Sequence, residues 1–296
     1  MPDASSHVSS PIGVFDSGVG GLTVLRELVR ALPHEDFLYV GDTARLPYGG
    51  KPQAMVRGFA FEWAGELVAR GVKAVVVACN TASAAALPDL AAAAPVPVWG
   101  VVEPGVTAAV AAHAGHDPEA IVGVLGTAGT IGAGTYQRAL AARGLRAWGR
   151  ACPLFVPIVE EGVSDGTIAR LVAEHYLADR PRELRTLILG CTHYPPLATT
   201  LRSVLGPDVA LVDSAAATAV AVADALAALG LARGSGGGAV RHLVTGDLPS
   251  YAHVARVLDG PEGPIEPLAL SLPVRPGWSA SARASATAAG PAAVAG

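Results

Sequence analysis

Two of the three cysteines in this chain stand in the same local setting. Cys79, in ACNTAS (78–83), follows the apolar run AVVV and precedes Asn80 and Thr81. Cys191 follows TLILG and precedes Thr192 and His193. A thiol at the start of a helix meets the positive end of the helix dipole, which favours the thiolate. Two equivalent acid/base groups on opposite sides of one carbon are what stereoinversion needs. One removes a proton from one face while the other delivers a proton to the opposite face. A thiol suits both roles, because its ordinary pKa of about 8.5 is easily tuned towards neutrality. Asp16 is a candidate to orient or deprotonate one thiol, and His193 to serve the other. The same two thiols also fit a redox couple. Cys152, in ACPLFVP, lacks polar neighbours and reads as a small buried hydrophobe.

The elements that would position these groups alternate along the chain. Candidate strands are IGVF (12–15), FLYVG (37–41), AVVVA (74–78), VPVWGVV (96–102), IVGVLG (121–126), LILG (187–190), VALV (209–212) and HLVTG (242–246). Most are continuous apolar runs, as expected of parallel strands covered on both faces. Helix-length segments such as LTVLRELVRAL (22–32) and YQRALAARG (136–144) lie between them. The alternation predicts an α/β fold. Many strands run directly into polar residues: Asp16-Ser17, Asp42-Thr43, Cys79-Asn80-Thr81, Thr127, Cys191-Thr192-His193 and Asp213-Ser214. Ligands of open α/β sheets bind beyond the carboxyl ends of the strands. Helix capping accounts for Asp213-Ser214, but not for the cysteines, since cysteine is not a usual capping residue. GVGG (18–21) offers only part of a dinucleotide fingerprint, with Thr23 where the third glycine belongs. It fits better as a turn whose N–H groups receive a small anion such as a carboxylate.

Composition narrows the function further. A net charge of -4 and no basic block give no reason to expect nucleic acid. HExxH and CxxC spacings and a Walker lysine are missing, so metal and nucleotide chemistry have no anchor. The alanine-rich stretch 215–230 contains Asp224 and reads as a packed helix, not a membrane span. MPDASSHVSSPIG lacks the basic and apolar regions of a secretory signal. With so few cysteines, the expectation is a cytoplasmic protein with reduced thiols. Residues 1–10 and the low-complexity end 279–296 are expected to stand outside the core, and RGSGGG (233–238) to be a surface loop.

Five motifs taken together resemble the glutamate racemases of the aspartate/glutamate racemase family: FDSGVGGLTV (15–24), GDTARLPYG (41–49), ACNTAS (78–83), ACPLFVPIVEEG (151–162) and LGCTHYP (189–195). The likeness runs from about Ile12 to Asp247. It implies an isomerase that interconverts L- and D-glutamate without cofactor or metal and supplies D-glutamate for peptidoglycan. Cys79 would deprotonate the D-enantiomer and Cys191 the L-enantiomer, with Asp16, His193 and Glu160 as acid/base helpers. Substrate contacts would fall on Asp16, Ser17, Pro47, Tyr48, Gly49, Asn80, Thr81, Thr127, Thr130, Thr192 and His193. Ala133 stands where many relatives have serine. The implied fold is two similar three-layer α/β domains with mostly parallel sheets and the active site in the cleft between them. The first would span 1–101 and resume over 210–273, the second 102–209, and 274–296 would be a disordered tail. A homodimer is also implied.

Overall fold

The structure, a computed structural model, describes residues 8–270. The tail expected over 274–296 lies outside the described residues. The chain opens with β1 (Ile12–Asp16), α1 (Leu22–Ala31), β2 (Phe37–Gly41), α2 (Gln53–Ala69), β3 (Ala74–Val77), α3 (Asn80–Ala93) and β4 (Val98–Gly100). It continues with α4 (Val102–His113), β5 (Ile121–Gly126), α5 (Ala128–Ala133), α6 (Thr135–Ala141), β6 (Arg146–Ala151) and α7 (Phe155–Glu160). Then come α8 (Gly166–Leu177), β7 (Leu184–Gly190), α9 (Ala198–Leu205), β8 (Ala210–Asp213) and α10 (Ser214–Ala228). It ends in β9 (Val240–Val244), α11 (Leu248–Val257) and β10 (Ile265–Pro267).

Two parallel sheets result. One has the order β10-β9-β2-β1-β3-β4, the other β6-β5-β7-β8. The stretch β2-β1-β3-β4 of the first sheet has the same order as the whole second sheet, with β1 matching β5 and β3 matching β7. The fold is thus two similar α/β units. β1, β2, β3 and β5 are buried along their whole length. Each large aliphatic side chain so covered contributes about 1.5–3 kcal/mol, which is why these strands read as unbroken apolar runs. Helix α10 packs on α1 and α4, and the main apolar cluster runs from Leu25 and Leu28 through Ala219 and Val222 to Tyr194 and Phe155. The two units therefore share a core at their junction.

Several sequence expectations need correction. The VALV strand, expected to reopen the first unit at 210, pairs with β7 in the second sheet, Leu187 opposite Leu211. It occupies the edge position equivalent to β4. The run VPVWGVV is a strand only over Val98–Gly100; Val101 already caps α4. Strands β6 and β10 were not anticipated. Both are sheet edges with partly exposed side chains, so RAWGRA and IEP carry no apolar run. No helix among the described residues is long and apolar enough to cross a membrane.

Candidate active site

In each sheet the chain leaves its first strand in one direction and later returns to the other side. The crevice at such a switch point is where open α/β sheets bind ligands. In the first sheet it lies between β1 and β3, whose ends carry Asp16 and Cys79. In the second it lies between β5 and β7, whose ends lead to Thr127 and Cys191. The two switch points face each other across one cavity of about 40 Å³. Ser17, Pro47, Tyr48, Gly49, Cys79, Asn80 and Thr81 line it from the first unit, and Thr127, Glu160, Cys191, Thr192 and His193 from the second. Gly18, Leu46 and Val156 complete the wall, and nothing in their residue types singles them out. Two expected contact residues stand behind it. Asp16 is buried beneath the Ser17–Gly18 turn, and Thr130 is buried behind Thr81 and Thr127.

Cys79 caps α3. Its Sγ accepts from the Ala82 N–H at 3.4 Å and donates to Ser17 Oγ at 3.5 Å. The expectation that cysteine would not cap a helix is thus wrong here. So is the expectation of a lowered pKa at this residue. Burial pushes the Cys79 thiol up to about 12, and the neighbouring Asp16 adds to the rise, while Ala82 N–H and Ser17 only partly offset them. The helix terminus supplies one hydrogen bond, which does not outweigh desolvation of a thiolate.

The GVGG turn also departs from expectation. The carboxylate in its N–H cradle is the protein's own Asp16, whose Oδ2 accepts from the Gly18 N–H at 2.9 Å. Burial raises the Asp16 pKa, and His193 together with the N–H groups of Gly18, Gly21 and Ser17 holds it back. Gly20 and Gly21 serve close approach. A methyl at Gly20 would collide with the His193 ring and the Thr192 hydroxyl, and one at Gly21 with Asp16 and Tyr39.

On the opposite wall, His193 Nε2 and Glu160 Oε1 are 2.9 Å apart. Burial works against the His193 imidazolium, but hydrogen bonds to Cys191 and Glu160 and their negative charge prevail, raising its pKa to about 10. Cys191 therefore has a cation beside it, whereas Cys79 has a carboxylate. Thr23 Oγ1, on α1, donates to the Thr192 carbonyl at 2.9 Å and ties this wall to the first unit.

The loop after β2 delivers Pro47, Tyr48 and Gly49, and buried Asp42 holds it. The Asp42 carboxylate accepts from Tyr48 OH, from Arg45 Nε at 2.7 Å, from Trp63 Nε1 at 2.9 Å and from Thr245 Oγ1 at 3.0 Å. The strand-end signal that flagged Asp16 and Cys79 also marks Asp42, in GDTARLPYG. Across the cleft, Thr81 Oγ1 lies 2.9 Å from Thr127 Oγ1 and 3.2 Å from Thr130 Oγ1. Tyr136 OH, on α6, donates to Asn80 Oδ1 at 2.6 Å. These bonds close the two units over the cavity. Among the described residues no group of three or more His, Cys, Asp or Glu is arranged to hold a metal ion.

The cleft thus carries a thiol on each wall, at equivalent ends of like-ordered sheets. The chain matches the Asp/Glu/Hydantoin racemase family over residues 12–222. It is 58% identical over 249 residues to the glutamate racemase of Thermus thermophilus, spanning 84% of this chain and 92% of that one. A crystal structure of the Thermus thermophilus enzyme in complex with beta-chloro-D-alanine is similar at a TM-score of 0.82 and 55% identity, over 89% of this chain and 98% of that one. The glutamate racemase of Francisella tularensis in complex with D-glutamate is similar at a TM-score of 0.81 and 34% identity, over 89% and 99% of the two chains. The chain therefore belongs to the Asp/Glu/Hydantoin racemase family, an enzyme of the isomerase class alongside the glutamate racemases.

Proposed function

We propose that this chain interconverts L- and D-glutamate by two-thiol acid/base chemistry without a cofactor. The observation that carries the reading is the shared cavity. Cys79 and Cys191 line it from opposite units, one beside Asp16 and the other beside the His193 cation. In the resting arrangement Cys79 holds its proton, and the His193 cation lies beside Cys191. A Cys191 thiolate takes the α-proton of L-glutamate, and the Cys79 S–H delivers its proton to the opposite face of the same carbon. The product is D-glutamate, with Cys191 now protonated and Cys79 a thiolate. The D-to-L direction runs the steps backwards.

The α-proton of an amino-acid carboxylate is very weakly acidic, so the developing charge needs positioned donors in a dry site. Ser17, Asn80, Thr81 and Thr192 supply hydroxyl and amide donors on the walls. A buried water occupies about 10–15 Å³ of such space, so the cavity of about 40 Å³ takes roughly three. Glutamate is larger, and the two units must part to admit it and close again around it.

The physiological reading extends this: a cytoplasmic homodimer supplying D-glutamate for peptidoglycan. The identity to the Thermus thermophilus glutamate racemase and the D-glutamate complex of the Francisella tularensis relative support glutamate over aspartate or a hydantoin. The test is incubation of the purified protein with L-glutamate in D2O without added cofactor, following Cα deuterium by NMR together with optical rotation. Exchange with racemisation is expected. Neither signal in a folded, reduced sample would refute the assignment. Cys79→Ala and Cys191→Ala should each lower turnover in both directions by about 10²–10⁴-fold. Near-normal turnover in either variant contradicts the two-thiol scheme and returns the thiols to a redox reading.

A further inference from the structure

Asn80 is the first residue of α3 and lines the cavity, yet only half of its amide has a partner. Its Oδ1 accepts from Tyr136 OH at 2.6 Å, whereas its Nδ2 is buried with no hydrogen-bond partner among the described residues. A buried donor left without a partner is costly, so such a group in a binding cleft points to a ligand acceptor. The two ends of an amide are interchangeable by rotation unless something fixes them.

Tyr136 fixes them here. The residue is fully buried on α6 of the second unit, and burial pushes its hydroxyl well above the ordinary phenol range, so it remains an O–H donor. Ser214, at the start of α10, lies beside the same hydroxyl. The phenol proton goes to Asn80 Oδ1. A β-carbon at Gly105 would press on Ser214 at 3.0 Å, so a glycine on α4 leaves room for the arrangement.

We infer that Tyr136 is a positioning residue for the reaction: by holding Asn80 Oδ1 it turns Nδ2 into the cleft as a donor for a substrate carboxylate. The inference rests on the glutamate reading above. Since Asn80 and Tyr136 come from opposite units, the amide is oriented only when the cleft is closed. A carboxylate ligand is thus gripped at closure and released at opening.

The probes are glutarate, which carries the two carboxylates of glutamate without its amino group, and L-glutamate itself. Glutarate binding is read by calorimetry and needs no turnover. Tyr136→Phe keeps the buried ring and removes one hydroxyl. It should weaken glutarate by about tenfold, the scale of one hydrogen bond, and raise KM for L-glutamate more than it lowers kcat. Asn80→Ala should weaken glutarate at least as much, and the double variant no more than Asn80→Ala alone, because Tyr136 acts through Asn80. Asn80→Asp, which sets a carboxylate against the ligand, should bind glutarate more weakly than Asn80→Ala. Wild-type glutarate affinity in Tyr136→Phe, multiplied losses in the double variant, or tighter binding by Asn80→Asp would each overturn the inference. A wild-type protein that binds glutarate but fails to racemise glutamate counts against the glutamate reading alone; one that does neither overturns both.

Discussion

Each thiol has a charged neighbour of its own, and the neighbours have opposite sign. Asp16 beside Cys79 and the His193 cation beside Cys191 make the two walls chemically unequal before any substrate arrives. With the Cys79 pKa near 12 against an ordinary 8.5, the thiolate fraction at neutral pH falls on the order of 10³-fold. Iodoacetamide at pH 7 should therefore label Cys79 far more slowly than a free thiol, as read by peptide mass spectrometry; fast labelling would contradict the burial argument. His193 gives a signed pH dependence. Its folded pKa of about 10 lies above its ordinary 6.5, so the stability it contributes is full below about 6.5 and is lost as pH rises through about 10. The difference in Tm between wild type and His193→Asn should shrink across that window. A difference that widens with pH would show that the imidazolium is not what Glu160 and Cys191 hold.

The loop between β2 and α2 has no regular structure beyond two single turns, yet it forms one wall of the cavity. Asp42 anchors it with four side-chain bonds, and Gly49 brings it against α5 of the other unit. A β-carbon at Gly49 would lie 2.5 Å from Thr127 Cβ, closer than real side chains approach. Gly49→Ala should therefore wedge the cleft, lowering kcat/KM by about 10²-fold, the scale of a small misplacement of catalytic groups. Gly49 has φ outside the left-handed region, so its backbone accepts alanine and the fold should survive. Unchanged far-UV circular dichroism with lost activity is the expected pair of results; retained activity would show that the loop yields at little cost.

Across the whole molecule, the cleft and the stabilising charges sit at opposite ends of the first sheet. Lys73, before β3, and Glu35, before β2, form a buried ion pair at 2.5 Å. Lys73 Nζ also donates to the carbonyls of Val8 and Leu231, and Glu35 Oε1 accepts from the Arg233 N–H. The cluster binds the start of the described chain and the segment after α10 to the sheet. Removing one partner of such a pair leaves an uncompensated buried charge. Lys73→Met should cost about 3–5 kcal/mol in urea unfolding, with kcat of the folded protein close to wild type. A loss of kcat without loss of stability would mean that this end of the sheet communicates with the cleft.

The sequence by itself determined what depends on neighbours along the chain. Strands buried on both faces must be apolar throughout, so β1, β2, β3, β5 and β7 were legible as runs, and their polar ends marked Asp16, Cys79, Thr127 and Cys191. Capping by Asp213 was legible for the same reason, since its carboxylate accepts from the Ala215 N–H two residues on. Edge strands β6 and β10 were not, because a strand covered on one side needs no apolar run. Tertiary structure alone decided the allegiance of β8, since pairing with β7 is a contact between distant segments. It also decided that both thiols line one cavity, and that Asp42 and Tyr136 organise the walls through bonds to residues far away in sequence. The Cys79 pKa turned on tertiary structure for a physical reason. A local motif supplies a helix terminus, but only the closed fold removes the water that a thiolate needs.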